Sequence, residues 1–135
     1  MEIDKQLCCK RDVAMQTIYD LDKRKLLSAL CHGSIFLSPL VLTIGIPIAI
    51  LMIADDPVVK DNAKEAINFH LNVWLYGAIA GFISFFWWTI ILLPLIWVMW
   101  GFVGIMTWIM PIFAILKCLS DPEHSFRYPF IFRIV

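Results

Sequence analysis

Polar and apolar positions alternate along this chain in long blocks rather than at the short spacing of a surface helix. Between Lys25 and Asp55 run 29 residues without an Asp, Glu, Lys or Arg, and between Glu65 and Lys117 run 51 more. A helix crosses the hydrocarbon core of a bilayer in about 20 residues. At about 1.5 Å per residue the second block reaches about 76 Å, enough to cross and return. The first block reaches about 43 Å as one helix, too long for a comfortable single crossing and too short for two full ones.

Punctuation refines these blocks. Ser38-Pro39 and Gly45-Ile46-Pro47 interrupt the first, because a proline lacks an N–H and strains the preceding turn. Two readings stay open: one kinked span from about Leu26 to Ile53, or a helical hairpin, complete or re-entrant, turning between Ser38 and Gly45. Basic residues lie before the first block, in the connection (Lys60, Lys64) and after the second block (Lys117, Arg127, Arg133). Placing all three groups in the cytoplasm requires each block to go in and come back, which favours the hairpin. Asp56 before Pro57 reads as an N-cap with proline at the first helical position. The second block then predicts a helix from Ile67 to about Trp87, a turn near Ile91 to Leu95 around Pro94, and a return to Leu119 with Pro111 kinking its last turns.

Residues 1–25 differ in character from the rest of the chain. They hold eleven charged side chains and lack the apolar core of a secretory signal. Ile3, Leu7, Ala14, Met15, Ile18 and Leu21 fall on one helical face, which suits either a helix lying on a membrane surface or a solvated arm. The predicted organisation is an amphipathic arm over 1–25 and a membrane domain over 26–135. That domain divides into a first block (26–54), an interfacial helix start (57–66), a second block (67–119) and a tail (120–135). The fold class expected is all-α and polytopic, with three to four membrane segments.

Composition agrees. Apolar residues make up 61% of the chain and charged residues 16%, against roughly 45–50% and about 25% in a soluble domain. Mean hydropathy is +0.80. So apolar a chain cannot cover its own surface with polar atoms. Eleven basic side chains balance eleven acidic ones, so charge makes no case for a nucleic-acid partner. The expected partners are the lipid bilayer and other membrane protein subunits, or further copies of this chain.

Candidate chemistry is sparse. Asp61, Lys64, Glu65, Asn68 and Asn72 form a narrow stripe at helical spacing, and a polar stripe entering lipid must face another helix or a wet crevice. Glu65, Asn68 and Asn72 are therefore the principal site candidates, either as interhelical glue or as a polar lining. Gly77 and Gly81, four apart, offer a face where helices approach closely. His32 and His70 are lone imidazoles in apolar surroundings. They are candidates for ligand contact, such as axial ligation of a tetrapyrrole, but are more usually hydrogen-bonded to a neighbour. Trp97, Trp100 and Trp108 form a bulky stripe read as packing or lipid contact. The cysteines (adjacent Cys8 and Cys9, then Cys31 and Cys118) make no metal pattern and are expected to be reduced. No metal or cofactor is expected, and an enzyme is not.

Three strings carry a resemblance: Leu30-Cys31-His32-Gly33-Ser34, Lys64-Glu65-Ala66-Ile67-Asn68-Phe69-His70, and Arg127-Tyr128-Pro129 through Arg133-Ile134. In that order they resemble a widespread family of small prokaryotic membrane proteins of unknown function, itself similar to the Tic-type component of the chloroplast inner envelope. The resemblance covers about residues 26–135. It implies a polytopic helical protein with cytoplasmic termini, in a prokaryotic plasma membrane or a thylakoid-type inner membrane, and a part in protein translocation. Two functions are expected on this basis: a translocon-like or channel-like component whose Glu65–Asn68–Asn72 stripe lines a path, or a structural accessory subunit whose stripe packs within a larger complex.

Overall fold

The computed structural model describes the backbone of residues 2–37 and 40–135, and most of their side chains. The Ser38-Pro39 step, the Cys8 and Cys9 thiols and the side chains of Ile3, Leu7 and Ile18 lie outside the described residues. All regular structure among the described residues is helical: α1 (Glu2–Gly33), α2 (Leu40–Ile53), α3 (Pro57–Ser84) and α4 (Leu93–Ser120). Short 3₁₀ turns at Ser34–Phe36 and Ile90–Leu92 lead into α2 and α4. Residues 121–135 form an irregular tail.

α1 runs unbroken through residue 25, so the charged arm and the start of the first block share one helix. Every described side chain from residue 6 to 20 is exposed. The first block then reverses at residues 34–37 and returns as α2, packing Cys31 of α1 against Ile50 and Ala54. The backbone thus doubles back, but ahead of Leu40: residues 40–45, expected to form the turn, already belong to α2. Gly45-Ile46-Pro47, expected to interrupt a helix, lies inside α2 instead. A proline at 47 withholds the N–H that would bond the carbonyl of Thr43 one turn earlier. The buried hydroxyl of Ser34, in the turn before α2, reaches that carbonyl at 2.7 Å and the Cys31 carbonyl at 2.8 Å, sharing its one proton between them and so standing in for the missing donor.

Asp56 caps α3 by accepting from Val58 N at 2.8 Å and Val59 N at 3.3 Å, with Pro57 at the first helical position. α3 ends at Ser84, earlier than the expected Trp87. The turn occupies residues 85–92, and Pro94 sits in the first turn of α4 rather than in the loop. Pro111 is buried inside α4 without ending it.

Pro57–Ser84 and Ile90–Ser120 are long and apolar enough to cross a membrane, two stretches where three to four segments were expected. Splitting the first block accounts for the difference: α2 has 14 residues, about 21 Å of helix. Packing in the bundle is inverted relative to a water-soluble domain. Asn62, Glu65, Asn68, His70 and Asn72 are buried, whereas Trp97, Val98, Trp108 and Phe113 of α4 are exposed. Only 11% of the apolar window of α4 is buried, where a soluble core helix would be mostly covered. Charged side chains gather at one end, where Arg24 of α1 meets Asp56 and Glu123. The other end, at residues 84–92, carries none.

Candidate functional site

α3 presents Asn62, Glu65, Asn68, Asn72 and Tyr76 at spacings of three, three, four and four residues, which keeps them on one helical face. Beyond Asn62, which also meets α1, that face holds no other helix among the hydrogen bonds of the described residues. It holds the tail, bonded through its backbone. Asn62 Oδ1 accepts from Phe126 N at 2.9 Å, and Glu65 Oε1 accepts from Tyr128 N at 2.8 Å. Tyr76 donates its hydroxyl to the Phe130 carbonyl at 2.9 Å. There the chain reverses through Pro129 and Phe130, the latter at φ 59°, a left-handed conformation that strains a residue bearing a Cβ. The tail returns with Phe132 N and O bonded to the Asn72 amide at 2.9 and 2.8 Å. Ile134 N and Val135 N donate to Asn68 Oδ1 at 2.8 and 3.0 Å, while Asn68 Nδ2 donates to Val135 O at 3.1 Å.

A side-chain amide carries the same donor and acceptor as a peptide group, so this ladder does for the tail what a neighbouring strand would do. Arg133 closes it, its guanidinium straddling Glu65 at 2.9 and 3.1 Å. Tyr128 stacks on Phe69 with centroids 4.0 Å apart and an interplanar angle of 15°. Glu65, Asn68 and Asn72 therefore belong to one clasp. Asn62, Tyr76, Tyr128 and Arg133 complete it and were missed as site residues. Asn62 was hidden beside Asp61, where a polar side chain draws no notice, and Tyr76 passed as apolar; the unbroken spacing was the available signal.

His32 joins the same network from α1. Asn62 Nδ2 donates to Ser28 Oγ at 3.1 Å and to Val58 O at 3.0 Å, so Asn62 Oδ1 is the acceptor facing His32. His32 Nε2 consequently carries the proton it donates to Asn62 Oδ1 at 3.1 Å, and Nδ1 accepts from the Tyr128 hydroxyl at 3.0 Å. The ring is neutral and fully bonded. His70 stands apart: its Nδ1 donates to the Ala66 carbonyl at 2.6 Å, and its buried Nε2 has no hydrogen-bond partner among the described residues. Fixing one ring nitrogen on a backbone carbonyl is how ligating histidines are oriented, but among the described residues no group of three His, Cys, Asp or Glu could hold a metal with it. At Gly77 and Gly81 an added Cβ would meet nothing within 4 Å, so none of the described residues packs closely there.

Electrostatics are concentrated at the charged end. Burial pushes the Asp56 carboxyl up, but the Arg24 guanidinium and two backbone N–H groups outweigh it and hold the group below its ordinary range. The same pairing, foremost the hydrogen bond to Asp56, raises Arg24. Lys117, bonded at 2.9 Å, and then His124 hold Asp121 low just beyond α4.

The model of the magnetosome magnetite crystal formation protein family matches residues 23–135. No curated protein and no solved structure matches the chain. The family match overturns the resemblance to a Tic-type import component. Two of the strings that suggested import, at 64–70 and 127–134, are the two sides of the clasp.

Proposed function

The chain belongs to the magnetosome magnetite crystal formation protein family, and we propose that it serves there as a non-enzymatic integral membrane protein, an accessory subunit that scaffolds other membrane components. The observation that carries this reading is the inverted packing. Amides and a carboxylate are buried between α3 and the tail, and Trp97, Trp108 and Phe113 face outward. Lipid is the solvent in which that arrangement is stable. α3 and α4 span the bilayer, while α1 and α2 re-enter from the charged side and turn back within it. The tail re-enters too, and the ladder on α3 satisfies the irregular backbone it brings to membrane depth. Lys23, Arg24, Lys60, Lys64 and Lys117 lie toward the charged end, and by the positive-inside rule that end and the N-terminal arm face the cytoplasm, the side from which the tail enters. A channel role loses support because the amides that would line a path are bonded to the chain's own tail.

Alkaline carbonate washing of membranes tests the first step: the protein stays in the pellet, and release into the wash overturns the reading. Single cysteines at positions 91 and 64 test the topology. Position 91 labels only from the far side and 64 only from the cytoplasm; labelling of both from one side rejects it. Gentle extraction and native gels test the accessory role. Co-migration with one larger complex supports it, and a self-assembled ring without other subunits speaks against it.

A further inference from the structure

A cavity of about 520 Å³ opens at the charged end, between α1 and the corner joining α2 to α3. Its lining is apolar at Leu27, Ile53 and Val59, of which Val59 is buried and Ile53 largely exposed, and charged at the exposed Asp20, Lys23 and Asp55. Arg24 and Asp56 also line it, but they are committed: the guanidinium bonds Asp56 at 2.6 Å and Glu123 at 3.0 Å, and the other oxygen of Asp56 caps α3. Asp20, Lys23 and Asp55 make no ion pair or hydrogen bond among the described residues. The uncommitted lining therefore offers one cation and two carboxylates beside apolar side chains, at the level where the charge-free block begins. Its volume lies within the range of small-molecule sites, roughly 300–1,000 Å³.

We propose that this cavity binds the headgroup of a zwitterionic phospholipid bearing a primary amine. Lys23 takes the phosphate, Asp20 and Asp55 take the ammonium, and the acyl chains leave over Leu27 and the exposed Ile53 into the bilayer. Three features select this chemistry. The excess of carboxylates repels a purely anionic headgroup. An ammonium supplies three N–H donors to two carboxylates, which a quaternary amine cannot. Among the described residues no aromatic side chain lines the cavity, so none of them supplies the cage that recognises choline.

The proposal rests on the membrane reading above, and its test keeps the two separable. The full chain, purified in detergent, is titrated with short-chain phosphatidylethanolamine, phosphatidylcholine and phosphatidylglycerol, and with soluble O-phosphoethanolamine, while bound lipid is counted by native mass spectrometry. The amine lipid binds about threefold to tenfold more tightly than the choline lipid, the range expected for partly exposed charge-assisted bonds. Asp20→Asn with Asp55→Asn abolishes that preference, and Lys23→Gln weakens both zwitterionic lipids alike. O-phosphoethanolamine binds more weakly than the lipid because it lacks the chains that cover Leu27 and Ile53. Equal affinity for the amine and choline lipids, or a preference surviving the double substitution, overturns the site. Equal binding of O-phosphoethanolamine and the lipid overturns the lipid as its occupant. Release of the protein by carbonate rejects the membrane reading, whatever the headgroup titration returns.

Discussion

Asn68 and Asn72 make their bonds to backbone groups rather than to side chains, and this decides what their replacement does. Asn72→Leu removes the acceptor for Phe132 N and the donor to Phe132 O. Leucine fits the helix, yet it leaves two peptide groups of the tail without partners, at about 1–3 kcal/mol for each group left unsatisfied away from water. Asn72→Asp keeps the acceptor but turns a charged second oxygen toward the Phe132 and Asn68 carbonyls, so wild type outranks leucine and leucine outranks aspartate. Thermal unfolding in detergent should rank the three in that order, and amide exchange at residues 130–135 should rise with the loss. A leucine variant as stable as the parent would mean that water or lipid headgroups replace the clasp. Glu65, Asn68 and Asn72 are legible in the sequence because an amide in a charge-free block demands a partner. The partner is not legible: Phe126, Phe132 and Ile134 contribute their backbones, which have no side-chain signature.

At the scale of elements, the helix ends show how a local rule yields to a tertiary contact. Pro47 reads as a breaker on propensity alone, but Ser34 sits against the carbonyl its missing N–H would have bonded. Ser34→Ala should lower stability by about 1 kcal/mol, the usual net value of one such bond, or more where the carbonyl is buried. Pro47→Ala should absorb much of that loss, because it restores the intrahelical donor; additive effects of the two changes would reject the coupling. The start of α3 carries a pH dependence. The Asp56 carboxyl lies below its ordinary value of 3.8 in the folded chain. Its contribution is therefore complete above that pH and is lost as the pH falls through the folded value. Acid unfolding should steepen below about pH 4. Asp56→Asn, which still caps the helix but cannot pair with Arg24, should flatten that limb by lowering neutral stability toward the acid value, and an unchanged acid limb would assign the pairing no weight. The Asp56-Pro57 start is plain in the sequence. The continuity of α1 is not, since a boundary in charge at residue 25 places no break in the backbone.

Over the whole molecule, the clasp makes the tail and the face of α3 conditional on one another. Removing residues 126–135 strips every backbone partner from Asn68 and Asn72 that lies outside α3, and in a bilayer those amides would then meet acyl chains. The truncated chain should be degraded or aggregate after extraction. Adding Asn68→Leu and Asn72→Leu to the truncation removes two of the groups that suffer, while Glu65 still lacks Arg133 and Tyr128 N, so the triple change should recover part of the membrane-inserted yield that truncation alone loses. The sign of this recovery separates two pictures. If the tail only adds apolar contacts, the leucines do nothing for the truncated chain and their effects add. If the tail exists to satisfy polar groups within the membrane, the substitutions that harm the full chain rescue the shortened one. Quantitative fluorescence-detected gel filtration of the full and shortened chains, each with and without the leucines, reads the difference directly. This reversal cannot be read from composition or block length, which report that a segment is dissolved in lipid but not which of its polar groups find partners inside the protein.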